Sequence, residues 1–118
     1  MKTELPVFSR WLEVVDVVLE RVGRFPKGLR PTLGNRLVER ALDIADHLVA
    51  LRYSRERGRL FNDCNLALEK MRILVRITFQ KRLLSAGQYQ EIAEGIDACG
   101  RMLGGWKKSE SEPETAAP

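Results

Sequence analysis

The chain has 118 residues, 44% of them apolar, with five prolines and 20 Lys and Arg against 16 Asp and Glu. That length allows one cooperative core and is too short for two. No run reaches the ~18 uninterrupted apolar residues of a bilayer span and no cleavable signal pattern opens the chain, so no membrane span or cleaved leader is expected and the cytoplasm is the default location.

No segment alternates with period two, whereas four segments repeat apolar residues at spacings of three and four, which predicts an all-α chain. The first helix runs from about Leu5 to Val22, with Phe8, Trp11, Leu12, Val15, Leu19 and Val22 on one face and Gly23 near its end. A connection dense in helix breakers follows, from Gly23 to Pro31. Thr32 as a cap, or Pro31 in the first turn, then opens a second helix that fades near Tyr53. Its stripe is Leu33, Leu37, Ala41, Ile44, Leu48 and Leu51, widened by Val38, Leu42, Ala45 and Val49.

The polar stretch Arg55–Arg59, with Gly58 in it, marks a turn into a third helix, about Leu60 to Leu84. One face of that helix, carrying Ala67, Leu68, Met71, Leu74 and Val75, is an ordinary core stripe. A second face carries Leu66, Ile73, Ile77 and Leu84 at intervals of seven, four and seven, a heptad-compatible seam. A helix of an isolated bundle has one such stripe. A continuous second strip of branched aliphatics is therefore expected to be covered by another copy of the chain. The competing reading places the third helix at the centre of its own bundle, buried on both sides.

Ser85 has the position of an N-cap for a fourth helix bearing Tyr89, Ile92, Ala93, Ile96, Gly100 and Leu103. Four helices of about five turns with short connections predict an antiparallel up-down-up-down four-helix bundle over residues 1–106. Residues 107–118, KKSESEPETAAP, hold nothing apolar larger than alanine and are expected to form a disordered tail.

Chemistry is sparse. Catalysis needs convergent groups, and the single histidine, His47, stands on a helix beside Asp46, so no catalytic residue is assigned. Cys64 and Cys99 lack metal or redox spacing and read as two buried thiols. The paired Glu-x-x-His of a di-iron bundle, a zinc ligand set and a phosphate-binding glycine loop are all missing, so neither metal nor cofactor is expected and an enzyme is disfavoured.

Charge is more informative. Residues 1–106 carry 18 basic and 13 acidic side chains, and 14 of the 20 basic residues in the chain are arginine, which suits bidentate contact with phosphate or carboxylate. Arg36 and Arg40 stand one turn apart on the second helix; Arg72 and Arg76 repeat that spacing on one side of the third, with Lys70 and Lys81 on the other. Facing outward, these six would meet successive phosphates. Their alternative employment is in internal salt bridges, such as Glu69 with Arg72 on the same helix or Arg76 with neighbouring helices.

LGNRL (33–37), LVRITFQKRLLSAGQYQEI (74–92) and GRMLGGWKKS (100–109) resemble the four-helix-bundle family that includes the accessory variability determinant (Avd) proteins of diversity-generating retroelements. Related bundles are encoded in intervening sequences of bacterial large-subunit ribosomal RNA genes. The resemblance covers roughly residues 5 to 109. It implies a homopentameric barrel with a basic surface, an essential non-catalytic partner of a reverse transcriptase whose template RNA is copied with errors at adenines. The partners implied are the reverse transcriptase, RNA or RNA/cDNA, and further copies of the chain. A protein-interaction scaffold of the ribosomal intervening-sequence type, without nucleic acid, is the alternative. Within the motif, Gly104-Gly105 can end a helix by positive φ and let Trp106 fold back over the bundle end, while Gly34 and Gly100 permit close helix approach.

Overall fold

A computed structural model describes the backbone of residues 4–111 and the side chains of 6–110. Four helices, α1 (Glu4–Val22), α2 (Asn35–Tyr53), α3 (Arg57–Gln80) and α4 (Ala86–Ser111), pack in the neighbour pairs α1/α2, α2/α3, α3/α4 and α4/α1. This is the expected all-α up-and-down bundle, with each helix flanked by the two that its short connections allow. No strand occurs among the described residues.

The core is filled by the three-and-four rows of all four helices, among them Trp11, Ile44, Leu51, Phe61, Met71, Ile96 and Leu103. On α1 the buried row differs from the expected one. Val7, Trp11, Val14, Val15, Val18 and Val22 are inside, while Leu12 and Leu19 are each 47% exposed. The helix is apolar over a wide arc, and packing centred on Trp11 selects one edge of it: the indole Nε1–H donates to the Ala41 carbonyl of α2 at 2.8 Å, satisfying the polar atom of a ring that is only 1% exposed. The other edge is set by α4. A Cβ on Gly95 would overlap Val14 Cγ2, so the absent side chain of Gly95 lets α4 lie close on α1.

The connections explain the ends of the helices. After α1 a 3-10 turn (Lys27–Leu29) and a π turn (Arg30–Gly34) lead into α2. Thr32 does not cap α2; its hydroxyl donates to the Leu29 carbonyl at 3.3 Å, and Pro31 lies in the first turn of the π segment. Gly34 makes a close approach as expected, because a Cβ there would stand 2.9 Å from Val22 Cγ1. Two arginines then terminate helices from a distance. Arg30 donates to the carbonyls of Phe25 (3.0 Å) and Gly23 (2.7 Å) beyond α1, and Arg57 to those of Leu51 (2.9 Å) and Arg52 (3.3 Å) at the end of α2, covering carbonyls that lack helical partners.

α3 stops at Gln80, a turn earlier than its sequence suggests. Arg82 adopts φ 63, its N–H bonds to Phe79 O at 2.9 Å, and Leu83 N–H reaches Thr78 O at 3.2 Å. This is a Schellman closure with arginine where glycine is usual. Ser85 and Gln88 follow as a reciprocal capping box: Gln88 N–H donates to Ser85 Oγ at 3.1 Å and Ser85 N–H to Gln88 Oε1 at 2.7 Å.

α4 corrects three expectations. Gly104-Gly105 does not end the helix, which runs on to Ser111, and no described glycine has positive φ. Trp106 therefore reaches the core from the face of a continuous helix, edge-on to Phe61 with ring centroids 5.2 Å apart. A Cβ at Gly100, Gly104 or Gly105 meets nothing within 4 Å, so none of the three serves close packing. The expected tail likewise begins too early, since Lys107 donates to Asn62 Oδ1 at 3.0 Å and Glu110 pairs with Arg57 from within α4. Residues 112–118 of that tail lie outside the described residues.

Candidate assembly and nucleic-acid interface

On the α2/α3 face, Arg36 and Arg40 from α2 and Lys70, Ile73, Leu74 and Ile77 from α3 line one shallow depression. It continues along the same face past His47, Asp43, Asp63 and Leu66. Leu66 and Ile73 are each 55% exposed and Ile77 40%, so the second face of α3 is solvent-facing in the single chain and the reading with α3 buried on both sides does not hold. None of Arg36, Arg40 and Lys70 has an ion-pair partner among the described residues. Branched apolar surface framed by unpaired cations can seat an apolar surface bordered by carboxylates or by phosphates.

Leu84 does not belong to this strip. The stop at Arg82 turns the chain inward, and Leu84, 5% exposed, packs with Val18, Leu37, Val75 and Ile92 in the core. Arg72 is also drawn away. Its guanidinium bonds to Asp97 of α4 and, at 3.3 Å, to Glu69, and the Asp97 hydrogen bond in particular raises its pKa further. Arg76, one turn on, and Lys81, just past the helix, are exposed and lack ion-pair partners among the described residues.

The structure thus gathers Arg36, Arg40 and Lys70 with Ile73 and Ile77, sets Arg76 and Lys81 outside the depression, and commits Arg72 internally. Lys27 and Arg82, which the sequence reading does not single out, are further exposed cations. Antiparallel topology brings the α1–α2 connection and the α3–α4 turn to one end of the bundle, and with them Lys27, Lys81 and Arg82, all exposed. Loop positions at a shared end were the available signal.

A second apolar strip lies on the α1/α2 face, where Leu12 and Leu19 are 47% exposed, Leu42 45% and Val49 43%. The titratable groups of the core are quiet by contrast. Burial, with the neighbouring Cys99, pushes the Cys64 thiol up to about 12, and burial pushes Cys99 up to about 11, so both stay neutral thiols well above pH 7. Among the described residues no three His, Cys, Asp or Glu side chains gather as metal ligands, and no helix is long and apolar enough to cross a membrane.

A family model described as bAvd-like matches residues 7–110, which takes in all four helices and the exposed α3 strip. No curated protein and no solved structure matches the chain. With nearly the whole bundle covered by that model, the chain belongs to the bAvd-like family.

Proposed function

We propose that this chain is a non-catalytic accessory subunit of a diversity-generating retroelement, acting in the cytoplasm as a homo-oligomer, a pentamer by family resemblance, that holds a reverse transcriptase together with its template RNA. The observation that carries the reading is the exposed strip of Leu66, Ile73 and Ile77, bordered by unpaired cations, on a chain of the bAvd-like family. A monomer gains nothing from 40–55% exposed isoleucine and leucine in one row; a subunit does.

The strip and its cations Arg36, Arg40 and Lys70 form one surface, so when copies meet there those three side chains enter the contact. Phosphate contact then falls to cations outside it: Arg76, Lys81, Arg82 and Lys27. They are scattered point and fork charges, with no aromatic or amide array to read bases, and they bind backbone with little sequence preference. RNA affinity measured between low and physiological salt tests this. A linear fall of log affinity with log salt is expected. Flat or absent binding, with the assembly intact and the enzyme still captured, would instead favour the protein-only scaffold.

A further inference from the structure

The two tyrosines of the chain have opposite surroundings. Tyr89 is stacked on Phe79, with ring centroids 4.5 Å apart and planes 9° from parallel. Tyr53, the last residue of α2, is 78% exposed, far more than Leu66 or Ile73. The Arg52 guanidinium carbon stands 5.6 Å from its ring centroid, and most of the remaining ring surface meets water. The backbone beneath the ring is fixed. Ser54 N–H donates to Ala50 O at 2.9 Å, and Arg57 holds the Leu51 and Arg52 carbonyls while its contacts to Glu110 and the Trp106 ring tie the same turn to α4. An aromatic ring carried into water on a braced helix end does little for the core and is available as a stacking platform.

Charge gathers at the same end. The ring belongs to the run Arg52-Tyr53-Ser54-Arg55-Glu56-Arg57-Gly58-Arg59, four arginines against one glutamate. Arg55 and Arg59 are exposed and have no ion-pair partner among the described residues. Antiparallel packing adds the end of α4: Lys107 lines a depression with Arg55, Arg57, Gly58, Phe61 and Glu110, and its ammonium bonds the neutral Asn62 amide, which leaves its charge uncompensated. Glu110, the carboxylate in that depression, is taken up by Arg57. Glu56, exposed in the turn, is the opposing charge that remains. α3 also begins without a side-chain cap, so the N–H groups of its first turn add positive potential beside Gly58.

We propose that this end of the bundle binds an unpaired segment of RNA, with a base stacked on Tyr53 and the flanking phosphates held by Arg55, Arg59 and Lys107. Cations alone would serve an acidic peptide as well. The exposed ring decides for nucleic acid, because every base has a flat face to lay on it and the arginines beside it match phosphate geometry. The same ring selects single strands. In a duplex the base faces already cover one another, and only splayed-out bases can reach a side chain. This rests on the reading that the chain contacts RNA, and adds where and in what form. Lys27, Lys81 and Arg82 at the opposite end meet backbone whether or not the bases are paired, whereas Tyr53 requires that they are not.

The test titrates the full-length chain into two labelled probes, an oligouridylate of about twelve nucleotides and an RNA duplex of the same strand length, and reads fluorescence anisotropy. Tyr53→Ala is expected to weaken the single-strand complex by about 5-fold to 100-fold and to leave the duplex complex unchanged, while Tyr53→Phe, which keeps the ring, binds as wild type. Arg55→Gln and Arg59→Gln should each flatten the fall of log affinity with log salt on the single strand by about 0.7. Because the Tyr53 side chain packs on nothing in the core, circular dichroism melts of wild type and Tyr53→Ala should overlay. Equal affinity of wild type and Tyr53→Ala for the oligouridylate, or equal losses on both probes, overturns the site. So does a changed light-scattering mass for Tyr53→Ala, which would place the ring in a contact between copies. Tyr53-dependent capture of polyglutamate in place of RNA would assign the turn to an acidic protein segment and overturn it as well. A wild type that binds both probes while Tyr53→Ala has no effect leaves the accessory reading standing; a wild type that binds neither overturns the site and the RNA part of that reading together.

Discussion

α3 has two outer flanks with similar residues and opposite fates. Toward α4, Arg72 is held by Asp97 and Glu69 and its charge is spent within the chain. Toward α2, Arg36, Arg40 and Lys70 surround Ile73 and Ile77 with no carboxylate in ion-pair range among the described residues, and the isoleucines face solvent. The difference teaches that a count of cations does not make a surface available. What matters is whether a carboxylate comes within ion-pair range, as Asp97 of α4 does for Arg72 and as Asp43 and Asp63, which line the α2/α3 face, do not for Arg40 and Lys70.

The sharpest way to break the comparison is to move from exposed to buried positions of α3. Met71, with no exposed surface, stands two residues before Ile73. Met71→Ala is expected to cost about 2–5 kcal/mol in chemical denaturation. Ile73→Glu should lie within about 0.5 kcal/mol of wild type when stability is compared at the level of the single chain, because it perturbs no core contact. Equal losses at the two sites would show that the strip is core after all.

Next in size is Gly95. Gly95→Ala inserts a methyl group into Val14, and about 1–3 kcal/mol of destabilisation is expected despite the better helix propensity of alanine. Gly104→Ala, on the same helix with open space beside it, should instead stabilise by up to about 1 kcal/mol. Thermal melts of the two variants moving in the same direction would contradict the packing described for α4.

Arg82→Gly sharpens the account of how α3 ends. Glycine accepts φ 63 without the strain of a side chain, so a gain of about 1 kcal/mol is expected, and a loss would mean that the arginine side chain outweighs the backbone term. Smallest of all, Arg72→Gln removes a solvent-accessible ion pair. Its cost should be under about 1 kcal/mol, with RNA affinity and assembly mass unchanged. A several-fold drop in RNA affinity on this substitution would return Arg72 to the binding surface.

Much of the fold was legible because it rests on local spacing. The four apolar rows, the Ser85 cap and the polar turn before α3 all follow from neighbours three or four residues apart. The misses share a different cause. On α1, Leu12 and Leu19 are as apolar as Val14 and Val18, and only the bond from Trp11 to Ala41 and the gap at Gly95 decide which edge is buried. Gly95 and Gly104 look alike in sequence, yet one faces a neighbouring helix and the other faces solvent. Leu84 fitted the heptad seam because nothing in Lys81-Arg82-Leu83 signals a left-handed stop when arginine takes glycine's place. For Arg72 the local partner Glu69 is visible in the spacing, but the stronger partner Asp97 lies 25 residues away, beyond any local rule. For the candidate surface, Leu66, Ile73 and Ile77 were readable from period alone, whereas the exposed row on α1 and α2 required knowing which side of each helix turns inward.

The account turns on whether the exposed row of α3 is a meeting place for copies. Multi-angle light scattering on the purified wild-type chain at physiological salt measures this directly. A single species at several times the 13.5 kDa chain mass, five times by family resemblance, is the expected result. A homogeneous particle of 13.5 kDa, with Ile73 and Ile77 left in water, would contradict it.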